Sequence, residues 1–182
     1  MLSPQTDSAT TAIKWLNSSG WFIDGIVAKR STDPYLPDER VMQKYKPIRT
    51  ADCVVGGFRY GKDSKEVGSL LLGLYDKAGR LNHVGFTSGL AKADKPSLTR
   101  KLETLIQEPG FTGNAPGAPS RWSTERSSQW KPLRPNIVVE VSFDHVTDDH
   151  FRHGTKLIRF RPDKSPRQCT MEQLRQASPA AA

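Results

Sequence analysis

Three things are scarce in this sequence: cysteine, long hydrophobic runs and acidic residues. Cys53 and Cys169 are its two cysteines, and their separation favours reduced thiols over a disulfide framework or a thiolate metal site. The longest apolar stretches, such as Gly68 to Tyr75, are far shorter than the roughly 20 residues of a transmembrane helix. Met1 to Ala12 has neither the basic nor the apolar region of a secretory signal. These absences predict a cytoplasmic protein without a membrane partner.

The shortage of acidic residues leaves an excess of positive charge. The 27 Lys and Arg residues exceed the 19 Asp and Glu residues, which gives a formal net charge of +8. This excess favours polyanionic partners, with nucleic acid as the first candidate. Hydrophobic residues make up 36% of the 182 residues, so a modest core is expected. This length fits one ordinary domain and a fragment of another.

From Thr50 onward the chain shows the pattern of a small β protein. Turn residues separate apolar, β-branched runs, and one helix with Asp94 as N-cap interrupts them. Strands are predicted over residues 51–60, 68–75, 81–87, 136–145 and 151–160, and the helix over 94–108. This order, with glycines where a closed sheet must bend, predicts a mainly β fold: a five-stranded OB-fold barrel with one helix between strands 3 and 4. A generic α+β sheet is the alternative.

The remaining segments define the expected domain organisation. Residues 1–20 are expected to be poorly structured, apart from a short helical turn capped by Thr10 or Thr11. Residues 21–49 hold two predicted strands, 21–29 and 41–46, which need a larger sheet to pair with. The barrel is expected over residues 50–165, followed by a basic tail with a short helix over 166–182.

Three lysines near the predicted strands before the barrel are candidates for phosphate binding. Lys44 and Lys46 are one residue apart, so both side chains leave the same face of a strand, and Lys29 ends the strand before it. We call these residues the strand lysines. Three cations on one surface can hold a pyrophosphate or triphosphate, although an exposed polar sheet face is the alternative. Asp24 interrupts an apolar run and is a candidate metal or nucleotide ligand, or else a solvated turn residue.

A second candidate lies in the basic stretch that follows the last predicted strand. Arg161, Asp163 and Lys164 belong to an Arg-Pro-Asp-Lys sequence, and we call these three residues the RPDK cluster. Charge of one sign at this density is typical of a phosphate-binding segment, with a solvated basic tail as the alternative.

The long connection before the fourth barrel strand interleaves arginine and tryptophan with hydroxyl residues. Such a segment can contact a DNA backbone while an aromatic ring packs on a sugar or base, unless the tryptophans cover the barrel instead. The candidate DNA-binding residues are Arg121, Arg126, Trp130, Lys131, Arg134 and, beyond the connection, Arg152.

Three segments together resemble motifs of the ATP-dependent DNA ligases. They are DGIVAK at Asp24–Lys29, KYK at Lys44–Lys46 and RPDK at Arg161–Lys164, in this order. The sequence is most similar to the small bacterial ligases linked to double-strand-break repair, and the segments beginning at Gly68 and Trp130 resemble the C-terminal barrel of that family. The resemblance implies nick sealing in DNA repair and recombination, with nicked double-stranded DNA as substrate and with ATP and Mg²⁺ or Mn²⁺ as cofactors.

The resemblance also implies roles for the candidate residues. Asp24 stands where the family usually has Glu near the divalent metal. The strand lysines would neutralise the nucleotide phosphates, at the end of a nucleotidyltransferase, or adenylation, domain. The RPDK cluster matches the motif that the barrel moves over ATP to orient the departing pyrophosphate.

One family motif has no counterpart in this sequence. The nucleophilic lysine of the family belongs to a K-x-D-G motif, which does not occur among the 182 residues. We therefore expect a C-terminal part of a ligase that does not adenylate itself. The alternatives are a stand-alone OB-fold module that complements a separate adenylation-domain polypeptide, and a degenerate gene product. A DNA-end-binding repair protein is a further possible partner.

Overall fold

The computed structural model of the protein describes residues 3–18, 23, 25–90, 94–117 and 128–176. The chain divides into two compact units, Met1–Pro47 and Ile48–Ala182. No helix in the described ranges is long and apolar enough to cross a membrane.

The first unit contains one helix and a two-stranded ribbon. Helix α1 (Ala9–Ser18) has ten residues, where the sequence predicted only a short helical turn in a poorly structured segment. The Ser8 hydroxyl accepts a hydrogen bond from the Thr11 N–H (3.3 Å), so Ser8 is the N-cap in place of Thr10 or Thr11. Strands β1 (Ile26–Ala28) and β2 (Gln43–Tyr45) pair antiparallel over three residues each. They are shorter than the predicted strands, and residues 19–22 and 24 lie outside the described ranges.

The second unit contains eight strands and three short helical segments among its described residues. The strands are β3 (Arg49–Tyr60), β4 (Val67–Tyr75), β5 (Leu81–Gly89), β6 (Lys131–Pro132), β7 (Val138–Phe143), β8 (Val146–Thr147), β9 (His150–Phe151) and β10 (Thr155–Phe160). The helical segments are α2 (Lys95–Glu103), a 3₁₀ turn (Pro166–Gln168) and α3 (Glu172–Gln176).

Five of these strands close a barrel in the order β3, β4, β5, β10, β7 and back to β3. Four neighbouring pairs are antiparallel, and β5 with β10 is the parallel pair. Helix α2 lies between the third and fourth barrel strands along the chain. This connectivity is that of an OB-fold. The predicted mainly β fold with a five-stranded barrel is confirmed.

Strand β3 bends so that it can pair with two neighbours. Its first half pairs with β7 and its second half with β4, with a register shift between Val55 and Gly57. A Cβ atom on Gly56 would lie 2.6 Å from the Phe111 ring, and one on Gly57 would lie 2.6 Å from the Trp130 ring. Glycine is therefore required at this bend because two aromatic side chains pack directly on the backbone.

Helix α2 begins where the sequence predicts and ends earlier. The Asp94 carboxylate accepts a hydrogen bond from the Ser97 N–H, and Leu98 and Leu102 are buried. The helix stops at Glu103 rather than at residue 108, since Ile106 already forms an extended bridge with Leu133.

Two C-terminal segments differ from the sequence-based expectation. The predicted strand 151–160 is divided, because β9 forms a hairpin with β8 while β10 joins the barrel. The segment from residue 166 to 174 is not a free tail. It buries Cys169 and Leu174, and the Tyr75 N–H donates to the Cys169 carbonyl (2.8 Å).

Candidate phosphate and nucleic-acid site

The structure brings the three members of the RPDK cluster together at the end of β10. The Arg161 guanidinium donates from Nε and Nη2 to the Asp163 carboxylate at 3.0 and 2.8 Å. Its Nη1 lies 3.1 and 3.2 Å from the two carboxylate oxygens of Asp52 on β3. Lys164 Nζ donates to Asp52 Oδ2 at 2.6 Å. Two cations thus converge on one carboxylate.

Asp52 is held in place from both sides of β3. Its N–H donates to Gln173 Oε1 (3.0 Å), and Gln173 Nε2 donates to the Asp52 carbonyl (3.0 Å), so α3 is tied to the strand. On the other side Glu140 of β7 faces Asp52 in register and binds Arg159 at 2.6 Å. The side chain of Asp52 is 12% exposed, which strengthens its ion pairs relative to surface pairs.

These contacts favour the charged forms of Arg161 and Asp163. The hydrogen bond from Arg161 lowers the pKa of Asp163 to about 2. The same hydrogen bond, with the charges of Asp52 and Glu140, raises the pKa of Arg161 further above its usual value. The arrangement presents a planar guanidinium and an ammonium group beside each other, which is the donor set that recognises phosphate oxygens.

Asp52, Glu140 and Gln173 were missed by sequence reasoning. Asp52 offers a signal, because it interrupts the apolar run that begins β3, just as Asp24 interrupts an apolar run earlier in the chain. Glu140 and Gln173 offer none, since each is an ordinary polar residue until the fold places it beside β3.

The strand lysines lie on the ribbon of the first unit. Lys44 pairs with Val27 in β2, while Lys29 and Lys46 follow directly after β1 and β2, and all three are exposed. Extending this register by one pair at each end places the three lysines on one face. A Cβ atom on Gly25 would overlap the Tyr45 carbonyl oxygen, which explains the glycine at that position. Asp24 lies outside the described residues.

The structure separates the candidate DNA-binding residues. Trp130 packs against the barrel, with its ring 5.5 Å from that of Phe111, and it is half-buried, so part of the ring covers the barrel and part stays accessible. Lys131 lies exposed on β6 opposite Phe58. The exposed residues Arg134 and Arg152 lie in the connections after β6 and β9: the Arg134 N–H donates to the Leu105 carbonyl and the Arg152 N–H to the His145 carbonyl. Arg121 and Arg126 lie outside the described residues.

Trp130 and Lys131 line a cleft of about 610 Å³ with residues of the β3–β4 turn. Arg59 and Lys62 contribute two further cations to this cleft. Sequence reasoning missed both, because neither an arginine near the end of a strand nor a lysine in a polar turn carries a signal for binding.

A divalent metal has no ligand set in the part of the chain that the structure describes. No group of three or more His, Cys, Asp or Glu side chains lies close enough there to hold an ion. The carboxylate of Asp52 accepts hydrogen bonds from Arg161 and Lys164, and the carboxylate of Asp163 accepts them from Arg161.

The family model for the ATP dependent DNA ligase C terminal region matches residues 63–164, more than half of the chain. The chain belongs to the ATP-dependent DNA ligases. DNA ligase C1 of Mycolicibacterium smegmatis is 40% identical over 167 residues, a match that covers 88% of this chain and 47% of that protein. The resemblance found in the sequence motifs is thereby confirmed. The chain spans about half the length of the curated ligase C relatives that it matches.

Two solved ligases have the same fold over most of this chain. The crystal structure of the ligase domain of Mycobacterium tuberculosis LigD aligns with a TM-score of 0.58 and 29% identity, covering 80% of this chain and 47% of that one. A mycobacterial DNA ligase D complexed with ATP and MES aligns with a TM-score of 0.54 and 28% identity, covering 79% and 45%.

Proposed function

We propose that this chain acts in ATP-dependent DNA strand joining, the sealing of nicks in duplex DNA during repair and recombination. One observation carries the proposal: in a barrel of the DNA ligase family, Arg161 and Lys164 converge on the carboxylate of Asp52 at 3.1 and 2.6 Å. Two cations this close together on an oxyanion are suited to phosphate groups.

In this proposal the RPDK cluster binds and orients the nucleotide phosphates. The oxygens of Asp52 accept hydrogen bonds in the place where phosphate oxygens would accept them, so ATP would displace Asp52 from Arg161 and Lys164. Asp163 would keep the guanidinium plane oriented meanwhile. The two cations would then stabilise the charge that develops on the departing pyrophosphate, which is the main contribution a protein makes to phosphoryl transfer.

The strand lysines would neutralise nucleotide phosphates at the ribbon. They are exposed and share one face, which allows a multiply charged ligand to reach all three. ATP is the proposed nucleotide because the family is ATP-dependent and one of the similar ligases was solved with ATP. Mg²⁺ or Mn²⁺ would accompany it, and Asp24 stays the candidate ligand for that ion.

The proposed DNA substrate is a nicked duplex. The net charge of +8 favours it, and the exposed residues Lys131, Arg134 and Arg152 are proposed to contact its phosphates, together with Arg121 and Arg126. Because the 182 residues contain no K-x-D-G motif, we propose that the lysyl-AMP forms on an adenylation domain that this barrel completes. A cytoplasmic location would give access to both DNA and ATP.

A chimera tests this function. The adenylation half of Mycolicibacterium smegmatis DNA ligase C1 is joined to this chain and incubated with ATP, Mg²⁺ and a labelled nicked duplex. We expect sealing, and a loss of about a hundredfold in sealing rate with Arg161→Ala or Lys164→Ala. Lys77→Ala, an exposed lysine in the β4–β5 turn, is the matched control and should leave the rate unchanged.

Two results would contradict the proposal. Sealing that survives Arg161→Ala and Lys164→Ala as well as it survives Lys77→Ala would remove the RPDK cluster from the reaction. Covalent AMP on the 182-residue chain incubated alone with labelled ATP would show that it does not need a separate adenylation domain.

A further inference from the structure

The cleft between the β3–β4 turn and the segment before β6 is a second concentration of cations, distinct from the RPDK cluster. Arg59 and Lys62 reach it from β3 and the turn, and Lys131 reaches it from β6. Its volume of about 610 Å³ lies within the range of pockets that enclose one small organic molecule. Asp63 is the acidic residue among its lining side chains.

Two aromatic rings line the same cleft, and both are fixed by the surrounding structure. The Tyr60 hydroxyl donates to Glu103 Oε1 (2.8 Å), while its ring packs edge-on against the buried Phe58 at 5.0 Å. Trp130 packs against the Phe111 ring and the backbone of Gly57. Both rings are half-buried, so each keeps an accessible part. Fixed rings can bind a flat ligand at little cost in conformational entropy.

The strand pairing makes this arrangement rigid. Lys131 and Pro132 of β6 pair with Phe58 and Gly57 of β3, and the Leu133 N–H donates to the Gly56 carbonyl at 3.0 Å. Trp130 and Arg59 therefore lie at the same end of one strand pair. Rings beside cations on a sheet are the combination by which proteins bind single-stranded nucleic acid, through base stacking and backbone charge.

We propose that this cleft binds an unpaired nucleotide of single-stranded DNA, with its base on Tyr60 or Trp130 and its phosphates on Arg59, Lys62 and Lys131. This inference deepens the proposed function and rests on it, since it gives the barrel a site for a single-stranded segment at the DNA end being joined. A duplex is the poorer ligand, because its bases are stacked on one another and do not offer a free face to the rings.

Binding of a fluorescent oligothymidylate about 10 nucleotides long to the full 182-residue chain tests the inference, with anisotropy as the readout. We expect Lys62→Ala and Lys131→Ala each to weaken binding about fivefold. Each should also make the binding less dependent on salt. The slope of log K against log salt concentration should decrease in magnitude by about 0.7 for every phosphate that the variant no longer neutralises. Lys65→Ala is the matched control: Lys65 is exposed in the same turn, does not line the cleft, and its replacement changes the net charge equally.

Two further variants test the stacking and the sign of the charge. Trp130→Ala should weaken binding about tenfold and Trp130→Phe should recover most of it, because phenylalanine restores a ring. Asp63→Asn should strengthen binding by removing the opposing charge. Asp63 has a φ of 52°, which asparagine also adopts readily, so this exchange preserves the turn.

The outcomes separate this inference from the proposed function. It is supported if the cleft variants weaken oligothymidylate binding, Lys65→Ala does not, and Lys62→Ala and Trp130→Ala leave the binding of a blunt duplex unchanged. It is overturned if Lys62→Ala and Lys131→Ala behave like Lys65→Ala, or if Trp130→Ala weakens duplex binding as much as oligothymidylate binding. Nick sealing by the chimera decides the proposed function independently, because a fully paired nicked duplex has no unpaired nucleotide for the cleft.

Discussion

His83 on β5 is the side chain from which we predict a pH dependence of the stability of the barrel. Its Nε2 is buried without a hydrogen-bond partner among the described residues, and its ring contacts those of Phe111 and His150 at 5.5 and 5.9 Å. Burial lowers its pKa to about 3, the charges of His150 and Arg59 act in the same direction, and a backbone hydrogen bond at Gly85 opposes them. The imidazole is therefore neutral in the folded barrel at neutral pH.

This depressed pKa predicts a loss of stability in acid. Between about pH 6.5 and pH 3 the unfolded chain binds a proton at His83 that the folded chain does not, so the free energy of unfolding falls as the pH falls. Each unit by which the pKa of His83 is lower in the folded chain than in the unfolded chain contributes about 1.4 kcal/mol to this change in the free energy of unfolding. Urea unfolding should show that the free energy of unfolding differs less between pH 7 and pH 4 for His83→Phe than for the wild type. The exposed His153→Gln is the control, and equal pH dependence in all three proteins would refute the assignment.

The residues of the RPDK cluster illustrate what could be predicted at this scale. Arg161, Asp163 and Lys164 lie within four consecutive positions, so they could be recognised together as a motif. Their partner Asp52 lies 109 residues from Arg161 in sequence, and only barrel closure brings the two together. A local pattern reports neighbours along the chain, whereas this site depends on pairing between distant strands.

At the scale of elements, helix α2 is joined to the barrel through Thr99. Its buried hydroxyl donates to the Lys95 carbonyl (2.7 Å) within the helix and accepts from the Val67 N–H of β4 (2.9 Å). The Thr99 hydroxyl thereby gives the N–H of the first residue of β4 a hydrogen-bond acceptor and fixes the position of α2 against this strand. The helical spacing of Leu98 and Leu102 predicted the helix, but not which strand it would meet.

Replacing Thr99 with valine tests this junction. The side chain keeps its shape while the Val67 N–H loses its acceptor, so Thr99→Val should lower the free energy of unfolding by about 1 to 3 kcal/mol. Thr104→Val is the matched control, because that hydroxyl bonds the Lys101 carbonyl on an exposed turn. Chemical denaturation of both variants measures the difference, and equal stability would show that Thr99 does not join the two elements.

At the scale of the whole molecule, positive charge is the dominant property. The excess of eight positive charges lies mostly in the second unit, because the first unit holds six Lys and Arg residues against five Asp and Glu residues. Electrostatic binding to DNA depends on counterion release, so its strength follows the salt concentration.

Nicked-duplex binding by the full chain should therefore weaken steeply with salt. If it makes about six phosphate contacts, its affinity should fall about a thousandfold between about 50 and 200 mM salt. A titration in NaCl with labelled duplex measures the slope, and sucrose at matched osmolality is the control for solvent effects. Binding that does not change with salt would contradict a phosphate-dominated interface.

The sequence by itself determined the class of fold, the family and the candidate phosphate-binding residues, because strand alternation, helix capping and short motifs are local properties. The tertiary structure decided which of those groups meet. It placed Asp52 against the RPDK cluster, packed residues 166–174 onto the barrel, set Trp130 on Gly57 and joined Arg59 and Lys62 to Lys131 in one cleft. These contacts join residues far apart in the chain, and they exist only because five strands close on one another and bury a common core.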